Sequence, residues 1–264
     1  MTLQQIVEYP VKSMAGNTLR EARVDAAGLA HDRRWMVVDS HGKFLTGRAL
    51  SELPLFSAQA GTALTLQFAG ETIQVEVPGS DATHLAATVW QDTLSLPDAG
   101  DAAADWLSRH LNRSVRLVYK PDSVKRWLPQ AKRQQADEEV SLADGYPLLA
   151  IGTASLAALN TRLDVPVTMA HFRPNLIIET QAPHIEDQWQ EIDIDGLRFR
   201  VASPCSRCVF TTVDPLKGVR SEDGEPLRTL GDYRRGDDHR IYFGVNLVPL
   251  APGVIRQGQP VTPH

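Results

Sequence analysis

Ile192-Asp193-Ile194-Asp195-Gly196-Leu197-Arg198-Phe199-Arg200-Val201 places an apolar side chain at every second position on both sides of an Asp-Gly pair. Successive strand residues point to opposite faces, so this alternation gives one buried and one wetted face. Asp-Gly supplies the two residues a tight hairpin turn needs. The segment predicts a β-hairpin. Outward from it the same period returns. Leu64, Leu66 and Phe68 alternate with polar neighbours and, after Ala69-Gly70-Glu71, so do Ile73, Val75 and Val77, which predicts a second hairpin. Arg34-Trp35-Met36-Val37-Val38-Asp39, the turn Ser40-His41-Gly42 and Lys43-Phe44-Leu45-Thr46 predict another. Helical spacing is rarer. Asp98-Ala99-Gly100-Asp101 offers N-cap candidates for a helix through Leu111, with Trp106, Leu107 and Leu111 on one face. Thr153 heads a second, with Leu156, Leu159 and Leu163 at three- and four-residue intervals, and a short third lies near Pro226 to Arg234. Strands followed by a few helices predict an α+β, mostly β, barrel-like architecture, not a βαβ series.

A chain of 264 residues makes about two domains at roughly 150 residues each. With 42% hydrophobic and 22% charged residues, it can build a packed core, which excludes wholesale disorder. The net charge of −5 argues against general polyanion binding, so nucleic acid is not expected as the main partner. No apolar run approaches the ~18 residues of a membrane span, and Met1 to Pro10 has neither the basic head nor the apolar stretch of a secretory signal. Two cysteines three positions apart cannot form a disulfide framework, which predicts a cytoplasmic, reducing setting. Arg109, Arg113, Arg116, Lys120, Lys125, Arg126, Lys132 and Arg133 face the single acid Asp122 in their stretch. Pro121 to Gln135 within it reads as a long loop at a domain junction. It is either a solvated basic surface or a docking patch for an acidic partner.

Cys205-Ser206-Arg207-Cys208 follows a predicted strand. Zinc would need further ligands at finger-like spacing, and no second Cys-x-x-Cys exists. A redox dithiol wants its first cysteine at a helix N-terminus, whereas Val209-Phe210-Thr211-Thr212-Val213 reads as a strand. A single thiolate ligating a soft metal, with Arg207 favouring the anion, is a third chemistry. Two buried cysteines packing as small hydrophobes is the fourth. Elsewhere, Tyr9-Pro10-Val11-Lys12-Ser13, Asp32-Arg33-Arg34-Trp35 and Phe172-Arg173-Pro174-Asn175 set cations, a hydroxyl and an amide at strand ends. A phosphate or an extended hydrogen-bonding heterocycle requires such groups.

Together with Thr211-Thr212-Val213-Asp214-Pro215, Phe243-Gly244-Val245-Asn246 and Gly258-Gln259-Pro260-Val261, these segments resemble the MOSC family over nearly the whole chain. The resemblance is closest to the branch with an N-terminal MOSC β-barrel domain, which includes bacterial YcbX-type proteins and the mitochondrial amidoxime-reducing component. It implies a smaller β-rich N-terminal domain over 1–118, a MOSC domain over 119–264 and a few short helices. It further implies a molybdenum cofactor (Mo-molybdopterin) with Cys208 as a metal ligand. Lys12, Ser13, Arg33, Arg173, Asn175, Ser206 and Arg207 match positions that hold the cofactor's phosphate and pterin, and Asn246 matches a position beside the metal. Asp214 is close enough in sequence to serve as a proton source or a structural anchor. The family's serine-threonine segment before the second helix is not kept, since the chain reads Asp144-Gly145-Tyr146-Pro147. The implied activity is reduction of N-hydroxylated compounds: hydroxylamines, amidoximes and N-hydroxylated bases. With two cysteines the chain cannot hold a cysteine-ligated iron–sulfur cluster, so electrons are expected from a separate iron–sulfur or flavin protein. The alternative is a cofactor carrier or sulfur-transfer module without turnover.

Overall fold

The 192–201 hairpin forms. Strands Glu191–Ile194 and Leu197–Ser206 pair antiparallel with Ile194 opposite Leu197, and Ile192, Ile194 and Phe199 are buried. Asp195 and Gly196 take φ of 50° and 92°. Those values belong to a two-residue turn whose twist matches the strands it joins. The computed structural model describes all 264 residues. It is mostly β, with three short α-helices: α1 (Asp101–Leu111), α2 (Thr153–Asn160) and α3 (Leu227–Tyr233).

The hairpin sits within an eight-stranded sheet. Its order is Val261–Pro263, Glu191–Ile194, Leu197–Ser206, Tyr242–Pro249, Leu148–Gly152, Leu176–Glu179, Thr2–Glu8, Asn17–Leu19. One pair is parallel, Leu148–Gly152 with Leu176–Glu179, and helix α2 lies in the connection between them. Parallel neighbours need such a crossover, so one βαβ unit stands inside an otherwise antiparallel sheet. The chain's first strand pairs with Leu176–Glu179, and Glu21–Asp25 pairs with Gly253–Arg256. Leu3, Ile6, Val24 and Leu29 accordingly share a core with Leu148, Phe199, Val245 and Leu247.

A separate core of 18 buried residues gathers Trp35, Val37, Phe56, Leu64, Leu66, Trp106 and Leu117, among others. Ala63–Phe68 and Glu71–Glu76 form the second expected hairpin, and α1 buries Trp106, Leu107 and Leu111 against this core.

Two expected elements differ. Trp35–Asp39 closes on Lys43–Leu45 only through an Asp39–Lys43 and a Leu45–Val37 backbone bond; its full-length partner is Val115–Tyr119. Local alternation does not reveal a partner that far along the chain. Residues 209–213 are not a strand, because Val209–Thr212 is a 3₁₀ turn. The Thr211 and Thr212 hydroxyls donate to the carbonyls of Cys208 and Val209 at 2.9 and 2.8 Å. Such local bonds compete with extended backbone.

Candidate functional site

Where the long strand Leu197–Ser206 ends, the chain turns through Arg207 and Cys208 into the mouth of a solvent-open cleft of about 880 Å³. Lys12, Ser13, Arg33, Arg173, Asn175, Ser206, Arg207, Cys208 and Asn246 all line it. Asp214 does not. It lines a neighbouring groove, and its carboxylate accepts the backbone N–H groups of Leu216 and Lys217 at 2.8 and 3.2 Å, the ordinary use of an aspartate in a turn.

The cations are set by backbone as much as by side chain. Ser13, Arg33 and Arg173 take φ of 71°, 48° and 58°, the left-handed region that non-glycine residues enter at a cost. The Arg33 and Arg173 guanidinium groups lie 4.3 and 4.2 Å from the Tyr9 ring centroid. Arg33 donates to Asp32 at 2.6 Å and to Asn175 Oδ1 at 2.9 Å. Asn175 Nδ2 in turn donates to Asp32 at 2.9 Å and to the Val7 carbonyl at 3.1 Å, while its Oδ1 also accepts the Leu149 N–H at 3.3 Å. All four hydrogen-bonding valences of this buried amide are used within the protein. Asn175 therefore orients Arg33 and has nothing left to offer a ligand.

Lys12 is buried and donates to the Leu142 carbonyl at 2.7 Å and to Asp144. Burial pulls its pKa down, opposed by the Asp144 charge. Burial would raise Asp144, but Lys12, Arg48 and the Trp90 indole outweigh it and hold the carboxyl well below the usual range. Arg207 donates to Cys205 Sγ at 3.1 Å and to the Phe172 carbonyl at 2.6 Å. The guanidinium beside exposed Cys208 is instead that of Arg48, 3.7 Å from Sγ. The expectation that Arg207 serves this sulfur is corrected. Asn246 donates to Ser203 Oγ at 3.2 Å.

Five cationic side chains face one lining carboxylate, Asp144, with Asp32 buried behind Arg33. Arg173 NH2 and Arg207 Nε are buried without partners. Burial, reinforced by Arg33, brings the Arg173 pKa down to about 10. Buried donors left unpaired are costly. An anion carrying several acceptor oxygens would satisfy them and relieve the mutual repulsion.

Residues 1–114 match the family described as the MOSC N-terminal beta barrel domain, and residues 137–262 match the MOSC domain. The chain is 34% identical over 281 residues to mitochondrial amidoxime-reducing component 1 of Homo sapiens, a match spanning 98% of this chain and 82% of that protein. The chain belongs to the MOSC family. Two further MOSC relatives are similar over comparable lengths. Component 1 of Danio rerio is 30% identical, with 97% of this chain and 83% of that protein covered. Component 2 of Rattus norvegicus is 32% identical, with 98% and 82% covered. All three are named as mitochondrial, and on that ground the expectation of a cytoplasmic setting is withdrawn. No helix of this MOSC protein is long and apolar enough to cross a membrane.

Five of the eight basic residues from Arg109 to Arg133 are ion-paired within the fold. Arg109 pairs with Glu71, Arg116 with Asp98 and Asp101, Lys120 and Lys125 with Glu139, and Arg126 with Asp92. Arg113, Lys132 and Arg133 stand outside these pairs, and Lys120 and Lys125 share one carboxylate. Sequence reading overlooked Arg48, Asp144, Thr46 and Phe210, which also line the cleft. No local pattern marks Arg48. Asp144 drew notice only for the hydroxyls its segment lacks.

Beside the site, Glu8 is buried, and burial together with the Asp32 charge pushes its pKa up to about 7. The folded state thus binds this proton more tightly than the unfolded chain. Its stability falls as pH rises from the ordinary carboxylate range to about 7, by up to about 3 kcal/mol. Glu8→Gln is expected to be the more stable protein at about pH 8 and to lose that advantage by about pH 5 in urea titrations.

Proposed function

We propose that this protein reduces N-hydroxylated compounds (hydroxylamines, amidoximes, N-hydroxylated bases), with a molybdenum cofactor held in the cleft and electrons drawn from a separate iron–sulfur or flavin protein. One observation carries this reading: the exposed Cys208 sulfur sits in the same cleft as five cations that come from distant parts of the chain, two of them with unpaired buried N–H groups. That donor set suits a phosphate-bearing organic carrier together with a soft metal. The names of the relatives, amidoxime-reducing components, support the substrate class.

In this reading Cys208 ligates the metal. Arg173 and Arg207 hold the phosphate and the pterin edge with their free N–H groups, and Lys12 and Arg33 add charge. Ser13 and Ser206 offer hydroxyls, Asn175 fixes Arg33, and Asn246 lies beside Ser203 on the cleft wall. When bound, the cofactor supplies two-electron redox chemistry at the sulfur end of the cleft. The balanced change is R–NH–OH plus two electrons and two protons giving R–NH₂ plus water. Asp214, capping a turn outside the cleft, is assigned a structural part. The division at 118/119 is proposed as the boundary between the two family units, with the first strand exchanged into the larger sheet.

Protein made in a cofactor-producing host is expected to carry stoichiometric molybdenum and to reduce an N-hydroxylated compound with a reduced dye as donor. Molybdenum without turnover would favour the carrier or sulfur-transfer module. Absence of molybdenum from such a preparation would sink both.

A further inference from the structure

The hairpin formed by His84–Val89 and Asp92–Pro97 carries a tryptophan where its turn least tolerates one. Trp90 stands at the first turn position with φ of 57°. Glycine or asparagine takes that conformation without strain, whereas a bulky residue there is an outlier that surrounding contacts must hold. The side chain is also not hidden in a core, being 47% exposed. Its contacts all lead to one place. Nε1 donates to Asp144 Oδ1 at 3.2 Å, and the ring carries the Arg48 guanidinium 4.7 Å from its centroid. Phe44 packs against it at 5.4 Å. Arg48 NH1 reaches Asp144 Oδ2 at 3.5 Å and Cys208 Sγ at 3.7 Å.

A long arginine side chain loses considerable rotamer freedom when fixed. This one is fixed by a ring on its face and a carboxylate at its edge, and it lines the cleft beside the sulfur. Its Nε and NH2 make no bond within the protein and are not buried orphans. This cleft-lining guanidinium therefore keeps donors free for an oxygen acceptor.

We propose that Arg48 orients the N–O oxygen of the substrate beside the Cys208 sulfur, and that Trp90 is a positioning residue that holds Arg48 in place. The substrate half of this inference rests on the reductase reading above. The placement half does not.

Two measurements separate them. In cofactor-free protein, mass spectrometry reads alkylation at Cys208 and Cys205 separately, using anionic iodoacetate and neutral iodoacetamide. A guanidinium held at the sulfur favours the anionic reagent. The iodoacetate-to-iodoacetamide rate ratio at Cys208 is expected to fall several-fold in Trp90→Ala and Arg48→Gln, to stay near wild type in Trp90→Phe, which keeps a ring, and to be unchanged at Cys205. In the holoprotein, Arg48→Gln and Trp90→Ala are expected to raise KM for an amidoxime about tenfold while kcat changes far less, in line with loss of one charge-assisted hydrogen bond. Trp90→Ala with wild-type ratio and wild-type KM overturns the proposal, as does an equal loss in Trp90→Phe. A fallen ratio with unchanged KM overturns the substrate role of Arg48. A wild-type holoprotein that reduces no N-hydroxylated compound overturns the reductase reading and the substrate role with it, and the alkylation ratio, read without substrate, distinguishes that result from failure of the clamp.

Discussion

Cys208→Ala abolishes molybdenum retention and turnover together, while Cys205→Ala keeps both within a few-fold: this is the expected result of loading each variant in a cofactor-producing host. The asymmetry follows from where the two sulfurs sit. Cys208 is exposed in the cleft, with the Arg48 guanidinium 3.7 Å from its sulfur. Cys205 is half-buried, accepts a hydrogen bond from Arg207 at 3.1 Å, and packs beside Phe172 and Phe243. Loss of an outer partner of a metal site typically costs 10–100-fold, and loss of the protein's own metal ligand is expected to exceed that. Cys205→Ala removes a soft contact from Arg207, whose NH2 still holds the Phe172 carbonyl at 2.6 Å. Metal content by elemental analysis and dye-coupled reduction check both variants. Equal loss from both cysteines would restore the dithiol chemistry that the sequence leaves open.

How far such a site can be read before folding depends on whether its residues are local. The Asp195-Gly196 and Ala69-Gly70 turns are local events, and both hairpins form because the alternation flanking them is complete. Four of the five cleft-lining cations, Lys12, Arg33, Arg173 and Arg207, come from motifs at strand ends, and each motif stands out alone because a charged cluster interrupts an apolar run. What joins them is not local. Asn175 bonds to Asp32, Arg33, Val7 and Leu149, so its part as a hub depends on strands far apart in the chain meeting at one end of the sheet. Arg48 lies outside every motif and matters only because the Trp90 hairpin and Asp144 close on it. The 209–212 turn misleads for the opposite reason. Its β-branched and aromatic residues favour a strand, and two threonine hydroxyls overrule that preference within a single turn.

The same distinction explains the basic stretch, whose charge looks like a surface when read alone. Lys120 is fully buried at the end of Val115–Tyr119, its ammonium 2.8 Å from Glu139 Oε1, and Glu139 is itself buried and also held by Lys125. Burial lowers the Lys120 pKa, and Glu139 opposes the shift. Lys120 thus ties the strand paired with Trp35–Asp39 to the segment that leads into the large sheet. Glu139→Ala strands an ammonium in a site with no other anion bonded to it, and removing one partner of a buried pair generally costs about 3–5 kcal/mol. The urea midpoint is therefore expected to fall by that loss divided by the m-value, with the m-value itself unchanged. Lys120→Ala is expected to be milder, because Lys125 still pairs with Glu139. The double variant Lys120→Met/Glu139→Leu should recover most of the loss, since apolar replacements of similar volume remove the uncompensated charge along with the pair. If the double variant were as unstable as Glu139→Ala, shape rather than charge would govern this junction. If Glu139→Ala were neutral, the pair would be a bystander and the two cores would be held together by their strands alone.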